Sequence, residues 1–144
     1  MRNLLVAVDF SQHTPRVLEV AEKLAREFDC PMRLVHVDDT EKPNFQEMVE
    51  IKDNEKKMEA LASRMRSAGL EASAIAKKGP ILESLLEEIR LHDIEHIVAG
   101  THGHSAAKEL FLGSVTKDLL RNCALPLTLV PRQERGWMRM QPAI

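Results

Sequence analysis

The chain has 144 residues, with 20 Lys+Arg against 22 Asp+Glu, 44% apolar residues and only 3% aromatic. A chain of this length buries roughly two thirds of its unfolded surface, so one domain with a self-sufficient core is expected, without disulfide or metal staples. A net charge of −2, with one Trp and no Tyr, supplies neither the basic excess that neutralises a phosphate backbone nor the platforms that stack bases, and general nucleic-acid binding is not expected.

The first apolar run, Leu4 to Val8, is far short of the roughly 20 residues that cross a bilayer, and Asp9 interrupts it before it could serve as a secretory leader. No membrane partner is expected. The two cysteines, Cys30 and Cys123, lack Cys-x-x-Cys spacing and fit a reducing cytoplasm, where they read as small core residues.

Leu4-Leu5-Val6-Ala7-Val8 has no alternation, as expected of a strand covered on both faces in a parallel sheet. Thr14 can cap a first helix beginning at Pro15, with Val17, Val20, Ala21, Leu24, Ala25 and Phe28 at helical spacing. Met32 to Val37 reads as a second strand. Polar residues Asp38 to Asn44 then lead into a long helix ending near Ala68, with Met48, Ile51, Met58, Leu61, Ala62 and Met65 as its buried stripe.

Gly69 suits a left-handed stop, and Leu70 to Ala76 is a weak strand suited to a sheet edge. Gly79-Pro80 opens a third helix with Leu82, Leu85, Leu86 and Ile89 on one face, while Glu83, Glu87 and Glu88 read as its solvated side. His96 to Ala99 is a short buried strand. Val115, Leu119, Leu120 and Cys123 mark a last helix, and Leu127 to Val130 a last strand closed by Pro131. Strict alternation predicts a five-stranded parallel α/β sheet sandwiched by four helices with right-handed crossovers. Residues 1–131 form the domain, and residues 132–144, carrying +2 from three Arg less Glu134, read as a C-terminal tail.

In a doubly wound sheet, ligands bind beyond the carboxyl ends of the strands where strand order reverses. Two loops bear on such a site: one begins at Asp9, and the other runs from Gly100-Thr101-His102-Gly103-His104 to Gly113-Ser114 at the mouth of the last helix. Glycines let a backbone approach an anion, and free amides at a helix start favour negative charge.

The spacing Gly100, two residues, Gly103, nine residues, Gly113-Ser114 resembles the nucleotide-binding signature of the universal stress protein family. Leu5 to Asp9, Leu34 to Val37, Gly79-Pro80 and Leu125 to Pro131 resemble that family's corresponding segments. The resemblance, from Asn3 to Pro131, implies a Rossmann-like sheet of order 3-2-1-4-5 and a cytoplasmic, dimeric stress-response regulator that binds ATP, with ADP or AMP as alternatives and magnesium as a potential companion. It implies that Asp9 lies near the ribose or a metal and that Val37 offers main-chain bonds to adenine. Gly100, His102, Gly103, His104, Gly113, Ser114 and Val115 complete the implied nucleotide-binding set.

Two positions depart from the family pattern. His104 stands where ATP-binding members often have Arg, and Glu109 occupies another frequently basic position. Both weaken attraction for a triphosphate, since Arg offers a permanent charge and a planar fork whereas His is mostly neutral at pH 7. His102 and His104 alone fall short of a zinc site. No P-loop lysine motif or Gly-x-Ser-x-Gly elbow is present, so no catalytic residue is assigned. The alternatives to a nucleotide-binding regulator are slow ATP hydrolysis and a nucleotide-independent interaction protein. A homodimer is expected through the apolar edge strand Leu127 to Val130, whose unpaired backbone groups need cover.

Overall fold

The computed structural model describes residues 2–101 and 114–131. The elements run β1 (Leu4–Ala7), α1 (Thr14–Phe28), β2 (Met32–Asp38), α2 (Phe45–Ser67), β3 (Ala72–Lys78), α3 (Ile81–Leu91), β4 (His96–Gly100), α4 (Ser114–Asn122) and β5 (Leu127–Val130). The strands form one sheet in the order β3-β2-β1-β4-β5, and every neighbouring pair is parallel.

The unbroken apolar run of β1 follows from a core on each side of the sheet. Leu4, Val6 and Val8 face one cluster, completed by Val17, Leu18 and Ala21 of α1 and by Met58, Ala62 and Met65 of α2. Leu5 faces the other, with Val35 and Ile97 from the sheet, Leu85 of α3 and Leu119 of α4. Alternate residues of one strand thus enter different cores, and neither can be polar.

Local chemistry sets the helix ends. Asn44 caps α2 by accepting from Glu47 N while Glu47 reaches back to the Asn44 backbone, a reciprocal box that stabilises the start by about 1 kcal/mol. Gly69 stops that helix at φ +89, as its sequence position predicts. The start of α1 differs from expectation. Its cap is His13, without a side-chain capping bond, and Thr14 is already helical. The Thr14 hydroxyl is drawn instead to Asp9 Oδ1 at 3.2 Å.

Other expectations change for tertiary reasons. Strand β3 lies two residues later than the apolar pattern suggests, because its register against Met32 to Asp38 runs from Ala72 to Lys78. Met48 and Phe28 carry the helical period yet remain about half exposed, at 50% and 46%, Met48 in the first turn of α2 and Phe28 as the last residue of α1. Cys30 is buried in the turn before β2, where burial pushes its thiol pKa up, and Cys123 follows α4, partly buried.

Glu88 is the main correction on this side of the molecule. It is not solvated: its side chain is only 3% exposed, and Arg33 Nε and Nη2 both reach Oε1 at 2.9 Å. Lys77 Nζ and His92 Nε2 lie 3.6 and 3.7 Å from Oε2. Arg33 falls between two core residues of β2, so strand alternation sends it to the α3 side, where Glu88 is the compensating charge.

His96 of β4 lies 2.6 Å from Thr128 Oγ1 of β5. Burial lowers its pKa from the ordinary 6.5, so protonation is harder in the folded state than in the unfolded one. Stability from this group is complete above 6.5 and is lost as pH falls below it, because the unfolded chain then takes up the proton first. Urea unfolding across that range should show the decline, and His96→Gln should flatten it. An unchanged profile in the variant would remove His96 as the cause.

Candidate functional site

A cavity of about 480 Å³ opens where the carboxyl ends of β1, β2 and β4 meet the first turns of α1, α3 and α4. It sits at the β1/β4 boundary, where the strand order turns from descending to ascending, the position at which an open α/β sheet leaves a crevice. The walls come from separated parts of the chain. Asp9 comes after β1, Val37 and Asp38 close β2 and Asp39 follows it, Gly100 closes β4 and Thr101 follows it, and Ile81, Leu85, Val115 and Thr116 come from the helix starts.

Asp9 is held by its own loop. Its Oδ1 accepts from Ser11 N at 3.0 Å and from the Thr14 hydroxyl at 3.2 Å, the local turn that a short acidic side chain favours. Phe10 then takes φ +57, a conformation unfavourable for a bulky residue unless its surroundings impose it. They do so here. The Phe10 ring packs on His36, with centroids 4.7 Å apart, and Lys57 Nζ lies 5.4 Å from the ring centroid.

The role of Gly100 has a cause that the motif did not disclose. A Cβ there would lie 2.7 Å from His13 Cδ2 and 3.4 Å from Val17 Cγ2. His13 is buried, and its Nε2 lies 2.6 Å from Val130 O, which also accepts from Thr101 N at 3.1 Å. One ring therefore ties the start of α1 to the end of β5 across the floor of the cavity, and only glycine leaves room for it.

Of the residues singled out from sequence, Asp9, Val37, Gly100 and Val115 line the same cavity. Ser114 opens α4, but its side chain, like His102, Gly103, His104, Gly113 and the tail 132–144, lies outside the described residues. Sequence reading missed His13, Asp38 and Asp39 as cavity residues. His13 carried a signal in retrospect, an imidazole just ahead of the first helix in the loop after Asp9. His36 bonds Val8 O through Nδ1 at 2.7 Å and also lines the cavity.

The lining combines three carboxylates, Asp9, Asp38 and Asp39, with an apolar wall of Val35, Val37, Leu85 and Leu119. No Lys or Arg among the described residues joins it. No group of three or more His, Cys, Asp or Glu among the described residues could hold a metal ion. No helix among them is long and apolar enough to cross a membrane.

A doubly wound parallel sheet with a crevice of this kind at its reversal point defines a Rossmann-like α/β protein. Residues 1–131 match the Universal stress protein family, and the chain belongs to that family. It is 24% identical over 143 residues to universal stress protein YxiE of Bacillus subtilis, an alignment covering 88% of this chain and 97% of that one. The fold is shared with the universal stress protein of Archaeoglobus fulgidus solved in complex with dAMP: TM-score 0.68, 22% identity, 90% of this chain and 97% of that one. A universal stress protein solved in complex with cAMP also has TM-score 0.68, at 17% identity, covering 90% of this chain and 96% of that one.

Proposed function

We propose that this protein binds an adenine nucleotide in the β1/β4 cavity and acts as a homodimeric regulator of the stress response, without dedicated chemistry of its own. The observation that carries the reading is the convergence of Asp9, Val37, Gly100 and Val115, from four separate segments, on one cavity at the reversal point of the sheet. Its volume of about 480 Å³ suits a ligand of nucleoside size. The structures of relatives in complex with dAMP and cAMP support the choice of adenine.

ATP is the first candidate occupant, with magnesium to offset the carboxylates of the lining, and ADP and AMP follow. Pairing through β5 supplies the dimer. Among the described residues that strand pairs only with β4, and Leu127, Thr128 and Leu129 are partly buried in the single chain. A second copy would cover both the apolar side chains and the backbone edge.

Titration calorimetry with ATP, ADP and AMP at fixed magnesium should give saturable heats for at least one of them. Silence from all three at high protein concentration would overturn the reading. Phosphate release followed in the same samples separates holding a nucleotide from hydrolysing it. Sedimentation of those samples should show a dimer, and a concentration-independent monomer would remove the dimeric part.

A further inference from the structure

A chain of hydrogen bonds joins the cavity to the edge of the sheet. Asp9 Oδ1 accepts from Ser11 N at 3.0 Å, Ser11 Oγ accepts from His13 N at 3.2 Å, and His13 Nε2 lies 2.6 Å from Val130 O. A carbonyl oxygen only accepts, so Nε2 carries the hydrogen and donates it. Three consecutive bonds thus lead from an acidic cavity residue to the last residue of β5. Asp9 and His13 both line the cavity.

β5 depends on this link more than an interior strand would. It has four residues, three of them only partly buried, and among the described residues it is paired on one side alone. Its final carbonyl receives two donors, Thr101 N at 3.1 Å and the His13 ring. Thr101 also lines the cavity, so both groups that fix the end of β5 belong to the cavity wall. The ring cannot slide toward β4, because a Cβ at Gly100 would already stand 2.7 Å from His13 Cδ2; it leaves Val130 O only if the loop after β1 moves with it. Short edge segments with few partners are the first to open. A molecule lodged against His13 and Thr101 restrains that loop and keeps the carbonyl held.

We infer that His13 couples the cavity to the dimer edge: a nucleotide in the cavity tightens pairing through β5, and pairing tightens the nucleotide by the same factor. This rests on both parts of the reading above, a nucleotide in the cavity and a dimer through β5, and adds to them the residue that links the two. The sign is positive because ligand and partner strand favour the same arrangement, the one in which Val130 O is held and β5 lies flat along β4. His13 acts here as a positioning residue, on the strand rather than on the ligand.

Sedimentation of the full chain over a range of concentrations gives the dimer dissociation constant, alone and with a saturating amount of whichever of ATP, ADP and AMP gives the largest heat. The constant should fall by about tenfold with nucleotide, within the range usual for linked sites. Nucleotide affinity in mostly monomeric and mostly dimeric samples should differ by the same factor. In His13→Leu, which has no donor for Val130 O, the factor should drop to about one. In His13→Gln, whose amide can donate in the same place, most of it should return. A wild-type dimer constant that is unchanged or raised by saturating nucleotide, a measurement that needs no variant, would overturn the inference while leaving the nucleotide and dimer readings intact. So would a folded His13→Leu protein, judged by its circular dichroism, that keeps the wild-type factor. A chain that binds none of the three nucleotides, or that stays monomeric at every concentration, would overturn the inference together with the reading concerned.

Discussion

Gly100→Ala should destabilise the protein by about 1–3 kcal/mol, the usual range for overpacking a filled interior, and weaken nucleotide binding at the same time. The added methyl would stand 2.7 Å from His13 Cδ2, well inside contact distance, and 3.4 Å from Val17 Cγ2. The imidazole has little freedom to retreat, since it is buried and its Nε2 is engaged by Val130 O at 2.6 Å. Relief therefore means moving the ring and the first turn of α1, and with them the cavity wall shared by His13, Thr14 and Val17. Removing the ring as well tests the cause. In the Gly100→Ala/His13→Ala double variant the two effects should be far from additive, with much of the Gly100→Ala cost abolished. Urea unfolding of the four proteins measures this coupling, and strictly additive losses would show that the close approach is not what requires glycine.

Glu88→Ala should be the more damaging single substitution, at about 3–5 kcal/mol, because it leaves buried positive charge without compensation. The Arg33 side chain is only 15% exposed and Glu88 is its one carboxylate partner among the described residues, whereas Lys77, equally buried, keeps Glu87 at 3.0 Å. The exposed pair Arg2–Asp93 makes the contrast. It is as short, at 2.7 Å, but its side chains are 69% and 62% exposed, and breaking it should cost less than about 1 kcal/mol. Replacing Arg33 and Glu88 together by Met and Leu should recover most of the loss, since an apolar pair of similar volume has no desolvation to repay. A double variant as unstable as Glu88→Ala would instead assign a specific stabilising role to the ion pair.

Much of the fold is legible from pattern alone. The alternation of apolar runs with helical stripes and the Gly69 stop lead to the observed elements within a few residues. The misses have a common origin. Glu88, Met48 and Phe28 obey or break the helical period in ways that look ordinary along the chain, and Glu88 meets Arg33 of β2 while the other two lie in terminal helical turns. Thr14 is a good capping residue by type, but Asp9, five residues earlier, competes for its hydroxyl.

The site divides along the same line. Gly100 could be picked out because glycine in that spacing at a strand end is a readable signal, and Asp9 because it closes the first apolar run, whereas Val37 and Val115 were implied only by the family resemblance. His13 and Asp38 could not, since their importance lies in partners far along the chain: Val130 for one, Asn54 for the other.

By itself the amino-acid order determined that this would be a parallel sheet between two helical layers with a crevice at its reversal point, because hydrophobic periodicity and turn chemistry act over a few residues at a time. Only the tertiary structure decided that a histidine ring claims the space beside Gly100 and that Glu88 is a buried counter-charge. Each of those depends on two or more segments meeting in space, and such meetings are set by packing, which no local pattern records.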